Sequence, residues 1–241
     1  MTISYRNTNI AVIANTLLKA RYTLTVAEHR LLKSLIKRIP NYYNLKLENI
    51  HSITVADFAT DWELSKDDAR KELKKAGLSL CTSNIYLPVQ HSESFHITRW
   101  FAEAYYDRST DLLQAMFTNT VLQSISELTE KFTKLDLVEM KDFSSSYSFR
   151  LYEILHCRIG ENSYKNPKFE VETLMLMLDV PPSLLNYRNF KLRVLTPCVA
   201  ELRCKTGKFS KLELVEHKGK GSKKVLELEF KGSGIGNRYK V

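Results

Sequence analysis

The sequence predicts an α+β fold of two tandem winged helix-turn-helix domains, the second an internal pseudo-repeat of the first. Three observations lead there. Two amphipathic stretches match each other at a spacing of 120 residues. Each is followed by a short helix, a break and a longer helix. Each series then runs into alternating, β-rich text. The shared order of four elements carries the inference more than any single match does.

The first amphipathic stretch is "TVAEHRLLKSLIKRI" (Thr25 to Ile39) and the second "SSYSFRLYEILHCRI" (Ser145 to Ile159). Arg30 meets Arg150, Leu31 meets Leu151, Leu35 meets Leu155, Arg38 meets Arg158 and Ile39 meets Ile159. Each opens on a hydroxyl residue suited to an N-cap and spaces its apolar residues by three and four. Downstream, Ile53 aligns with Phe169, Phe58 with Leu174 and Leu64 with Val180, now at a spacing of 116. The break between short and long helix is Ser65 as N-cap in the first copy and Pro181-Pro182 in the second, since paired prolines stop helices.

The first copy then reads "NIYLPVQHSESFHITRWF", taken as its hairpin, and the second "KFSKLELVEHKGKGSKKVLELEF". A further strand pair is expected over Glu103 to Phe117. "TNTVLQSISELTEKFTKLDLVEM" has helical apolar spacing and predicts a helical connector, with no Gly/Ser linker to loosen it. The expected organisation is an N-terminal winged-helix domain over residues 1–130, a C-terminal one over 131–231 and a flexible tail over 232–241.

Charge separates the two copies. The 241 residues hold 36 Lys+Arg against 27 Asp+Glu, a net charge of +9 that favours an anionic partner. From Asp142 onward there are 18 basic and 11 acidic residues, so +7 of that excess lies in the second part and +2 in the first. The hydrophobic fraction of 44% is ample for a core. No run nears the roughly 18 apolar residues of a membrane span, and the N-terminus lacks a signal-peptide core, so a soluble intracellular protein is expected. Cys81, Cys157, Cys198 and Cys204 are scattered, with no C-x-x-C and no histidine at zinc-ligand spacing. They read as free thiols of a reducing cytosol, and no metal or other cofactor is expected.

The long helix of the second copy, "NYRNFKLRVLTPCVAELR" (Asn186 to Arg203), is the candidate reader. On a helical wheel Phe190, Leu192, Val194, Leu195, Cys198, Val199 and Leu202 form the inner side, and Asn189, Arg193, Thr196, Ala200 and Arg203 the outer. In a helix-turn-helix the second helix enters the DNA major groove. There arginine pairs with guanine O6 and N7, asparagine pairs with adenine, and small residues admit close approach to a thymine methyl. Pro197 in mid-helix predicts a kink or a restart. From Arg188 to Lys224 there are eleven basic and three acidic residues. Lys218, Lys220, Lys223 and Lys224 cluster in "HKGKGSKK", a basic wing tip suited with Arg188, Arg203 and Lys205 to phosphate contacts. The matching helix of the first copy, "SKDDARKELKKAGLSL", interleaves Asp67, Asp68 and Glu72 with its lysines, which predicts subsidiary backbone contact or protein contact.

"LTVAEHRLL", "FTKLDLVEMKDFSSSYSFRLYEIL", "YRNFKLRVLTPCVAEL" and the strand "LELEF" resemble the Rep_3 family of plasmid replication initiators, over about Thr8 to Lys231. The resemblance implies two winged-helix domains and a bacterial, cytoplasmic setting. It implies monomers that bind directly repeated origin sequences (iterons) in double-stranded DNA, and homodimers, joined through the first domain, that bind an operator and repress their own gene. Host replication initiation proteins are implied partners. On the matching positions, Lys191 and Arg193 would read bases, Ser145, Tyr147 and Arg150 would touch backbone, and Lys218 and Lys220 would be wing contacts. The chain departs from the family where "EIN" is common and Glu201-Leu202-Arg203 stands. The tail "GSGIGNRYKV" lies outside the resemblance.

Two rivals differ in class. A nicking replication enzyme would use a tyrosine from Tyr42-Tyr43 or Tyr105-Tyr106, but the six histidines are dispersed, His91 and His96 on two sides of a hairpin, and no phosphate-binding Walker loop is present. A dedicated winged-helix repressor would use the same helix, and differs in binding one palindrome as a dimer rather than direct repeats as a monomer.

Overall fold

The computed structural model describes residues 9–39, 50–89, 93–126, 131–161, 166–203, 207–221 and 223–232. The chain divides into two compact units, Met1–Lys141 and Asp142–Val241.

In the first unit β1 (Ile10–Ala14) leads into the short α1 (Asn15–Leu18) and then α2 (Val26–Ile36). Thr25 starts α2 with a capping box: its hydroxyl accepts the Glu28 N–H at 3.3 Å, and the Glu28 carboxylate accepts the Thr25 N–H at 2.5 Å. β2 (Ile50–Thr54) runs directly into α3 (Val55–Trp62), which ends where Glu63 takes the left-handed conformation. Ser65 then caps α4 (Lys66–Leu80), accepting the Asp68 N–H at 3.1 Å. Leu31, Leu35, Phe58, Trp62, Leu73 and Leu80 bury their side chains among these three helices. Gly77 lets α4 approach the sheet: a Cβ there would stand 2.9 Å from Leu113 Cδ1.

The strands β3 (Asn84–Leu87) and β4 (His96–Arg99) form one antiparallel hairpin, and β5 (Phe101–Asp107) and β6 (Leu112–Phe117) form another. α5 (Asn119–Ser126), β7 (Phe132–Asp136) and α6 (Leu137–Met140) complete the unit. The expected connector is therefore only half helical. Phe132–Asp136 pairs antiparallel with β1, Ile10 opposite Asp136, and this pairing carries the first unit on to Lys141.

The second unit repeats the plan with α7 (Ser146–Glu161), β8 (Lys168–Glu170) and α8 (Val171–Met177). After Pro181 and a 3-10 turn (Pro182–Leu184) come α9 (Tyr187–Phe190), a π-helical turn (Lys191–Leu195) and α10 (Thr196–Leu202). β9 (Glu213–Lys218) and β10 (Val225–Lys231) close the unit as a hairpin. Its core holds Phe149, Tyr152, Leu155, Leu174, Phe190, Leu195, Phe209, Leu228 and Phe230.

Strand order corrects one expectation. The second unit's sheet runs β8-β10-β9 and the first unit's β2-β6-β5, all antiparallel. The wing of the first copy is thus the β5–β6 hairpin, and β3–β4, read as that wing from the sequence, is an added hairpin. Among the described residues no helix is long and apolar enough to cross a membrane.

Candidate nucleic-acid interface

The reading helix is anchored at its start by Asn186, whose side-chain oxygen accepts the Arg188 N–H at 3.0 Å. It runs without a break from 187 to 202 although Pro197 lies within it. The π turn makes this possible: the Thr196 N–H bonds the Lys191 carbonyl, five residues back, and Pro197 falls in the first turn of α10, where a missing N–H costs little. The expected kink is absorbed as a widened turn.

Phe190, Val194, Leu195, Cys198, Val199 and Leu202 are buried, as the wheel predicted. Leu192 is not. At 65% exposure it points outward between the exposed Lys191 and Arg193. Arg188, Thr196, Ala200 and Arg203 are exposed and Asn189 is half-buried. Among the described residues neither the Arg188 nor the Arg193 guanidinium has a carboxylate partner. Arg203, exposed overall, donates from Nε to the Leu212 carbonyl, which ties the helix end to the segment before β9.

Lys191 is engaged. Its Nζ lies 2.5 Å from Glu216 Oε1 on β9, so an ion pair joins helix to wing. Burial works against the Glu216 carboxylate, but the Lys191 ammonium and the nearby Tyr187 hydroxyl outweigh it and hold its pKa below the ordinary range. Burial, with Glu216 beside it, pushes the Tyr187 hydroxyl well above the usual phenol value. Neither Glu216 nor Leu192 was signalled by the sequence, because one acts across elements and the other depends on the π turn.

On the wing, Lys218, Lys220, Lys223 and Lys224 are all exposed, and Gly221 turns the tip with φ +69°. Lys224 Nζ lies 3.4 Å from Glu172 on α8. The start of α7 presents Ser145 and Tyr147 half-buried, with the Ser145 hydroxyl accepting the Tyr147 N–H at 3.2 Å. Glu201 of α10 accepts from the Ser144 hydroxyl at 2.5 Å and from the Ser144 N–H at 3.2 Å.

Arg150 departs from its expected role at the backbone. Only 3% of its side chain is exposed, and its guanidinium lies 3.1 Å from Glu153, itself fully buried. Burial and the internal pair keep its guanidinium from the surface. Lys205, Cys204, the tail beyond Gly232, Tyr42-Tyr43 and His91 lie outside the described residues.

Of the tyrosines read for the rival enzyme, Tyr106 is engaged. The Tyr106 hydroxyl donates to Asp111 at 2.8 Å, and burial together with Asp111 raises its pKa, the reverse of an activated nucleophile. Cys198 is pushed up to about 11 by burial. Among the described residues no group of three His, Cys, Asp or Glu could hold a metal ion.

Comparison with known proteins agrees with the fold. Residues 10–156 match the family described as Initiator Replication protein, WH1, and residues 170–231 match Initiator Rep protein, WH2. A curated replication initiation protein of Escherichia coli is 28% identical over 184 residues, 74% of this chain; the chain spans 56% of that relative's length. The crystal structure of Pi initiator protein in complex with iteron DNA superposes with a TM-score of 0.74 at 22% identity, covering 93% of this chain and 97% of that one. Domains 2 and 3 of RctB superpose with a TM-score of 0.52 at 12% identity, covering 86% and 82%. At these identities the two structures share the fold.

Proposed function

Since the chain belongs to the initiator replication protein family, with both winged-helix regions in order, we propose that it is a plasmid replication initiator that binds iteron DNA through its second unit. The observation that carries this reading is the exposed face of the helix over 187–202. Arg188 and Arg193 stand on it with no carboxylate partner among the described residues, beside a wing whose tip carries four exposed lysines. Arg193, Asn189, Thr196 and, once released from Glu216, Lys191 address base edges. Arg188, Arg203, Lys205, Ser145, Tyr147 and the wing lysines address phosphates. The structural relative bound to iteron DNA supports the choice of duplex DNA as ligand.

Binding of direct repeats as a monomer, repression of its own gene as a dimer and recruitment of host replication proteins are the finer parts of the same proposal. The first unit is the dimerising one in this reading. Its β3–β4 hairpin exposes the cross-strand pair Tyr86 and Ile97 together with Val89 and Phe95, an apolar surface that a second copy would cover.

Selection from a random duplex pool tests the reading, with wild type and Arg193→Ala side by side. A motif with wild type that blurs at one position with Arg193→Ala is expected, each bidentate contact being worth roughly 1–3 kcal/mol. Salt-sensitive binding with no motif would reduce the helix to a basic surface. Binding only to a palindrome, as a dimer, would make the protein a dedicated repressor.

A further inference from the structure

The outer face of the reading helix carries one large apolar side chain, which neither phosphate nor polar base-edge contacts use. Leu192 is 65% exposed, although Phe190, Val194 and Leu195 around it are all buried. The π turn is the cause. The bond from the Thr196 N–H to the Lys191 carbonyl adds a residue to this turn, and three consecutive side chains, Lys191, Leu192 and Arg193, are carried to the outside.

A lone exposed leucine is ordinary on a protein surface, and Leu176, Leu185 and Leu226 of the same unit are exposed too. Its neighbours set Leu192 apart. Arg188, Leu192, Thr196 and Ala200 follow one another at four-residue spacing, all exposed, with Asn189 and Arg193 alongside. The middle of that row is apolar, flanked by side chains that suit guanine and adenine edges. A leucine there can bond neither phosphate nor a base edge. The apolar group that the major groove offers is the C5 methyl of thymine.

We infer that Leu192 is a specificity-determining residue, packing on the C5 methyl of a thymine next to the bases addressed by Arg193 and Asn189. The inference rests on the DNA-reading role proposed above. The π turn then has a purpose: it accommodates Pro197 and at the same time delivers an apolar probe into a basic face.

The test replaces each thymine of the selected duplex, one at a time, with deoxyuridine, which lacks only that methyl. Affinity is measured for wild type, Leu192→Ala and Leu192→Met, with melting curves to confirm folding. Wild type should weaken by roughly fourfold at one position, about the worth of one buried methyl group. Leu192→Ala should lose that difference while keeping its preference at the guanine position, and Leu192→Met, apolar and of similar length, should retain it. If wild type selects a motif but no deoxyuridine substitution separates it from Leu192→Ala, the inference about Leu192 is overturned and the DNA-reading role stands. If wild type selects no motif at all, both fall together.

Discussion

Removing the charges of Lys218 and Lys220 separates wing contacts from base reading. Both side chains are exposed, Lys218 at the end of β9 and Lys220 in the turn that follows, and among the described residues neither forms an ion pair. Lys224 is left in place because Glu172 stands 3.4 Å away and would be released. Each phosphate neutralised lowers the slope of log affinity against log salt by about 0.9. Losing two contacts should flatten the slope by about 1.8, which makes the fall in affinity between about 50 and about 200 mM salt roughly twelvefold smaller. The assay is fluorescence anisotropy with one selected duplex and one scrambled duplex, each titrated at several salt concentrations with Lys218→Gln, Lys220→Gln protein. Both duplexes should show the same change, since phosphates carry no sequence information. An unchanged slope would remove the wing from the interface. A loss confined to the selected duplex would mean that the tip reads bases.

Two further substitutions probe ion pairs that the sequence did not reveal. Glu216→Gln should free Lys191 for DNA, tighten binding to scrambled duplex and steepen its salt slope by up to about 1; unchanged scrambled binding would show that Lys191 stays out of reach even when unpaired. The folded-state pKa of Glu216 is depressed, so its stabilisation is present above the ordinary carboxylate pKa and is lost as pH falls through the depressed value. A wild-type melting temperature that falls more steeply with acid than that of Glu216→Gln is expected. Arg150→Ala should destabilise the second unit by roughly 3–5 kcal/mol, the usual result of taking one partner from a buried ion pair. A stably folded variant with weakened DNA binding and a salt slope flatter by about 0.9 would instead return Arg150 to the interface.

What the sequence made legible was local. The hydroxyl at Thr25, the Ser65 cap, the Pro181-Pro182 break and the three- and four-residue apolar spacing each act within a turn or two, and each is where it was expected. What it hid was non-local. Phe132–Asp136 is a strand because β1 lies ready to pair with it, despite text with helical spacing. The wing of the first copy could be assigned only once β2 was seen to pair with β6. Arg150 shares its alignment with Arg30, whose guanidinium reaches Glu72 at 2.9 Å on another helix, while Arg150 turns inward to Glu153 of its own helix. Leu192 escaped the wheel because a fixed angle per residue has no place for a π turn.

In the proposed reading, the same scaffold is used twice and charge rather than fold assigns the work. On α4 of the first unit, Arg70 pairs with Asp67 and Asp111 at 2.8 Å each, and Lys66 and Lys71 also have carboxylates within 4 Å. Asp67 and Asp68 stand in the first turn of α4, where a groove-reading helix would bring them toward phosphate. The corresponding turn of the second helix has no acidic residue and exposes Arg188 instead. The base paired there among the described residues, Lys191, is held by a carboxylate on the neighbouring strand rather than on the helix itself. That placement lets DNA compete for Lys191 without confronting an acid on the reading face. The bases of α4, paired both within the helix and with Asp111 ahead of β6, would have to break several pairs before they could hold a phosphate. The second helix has to break one.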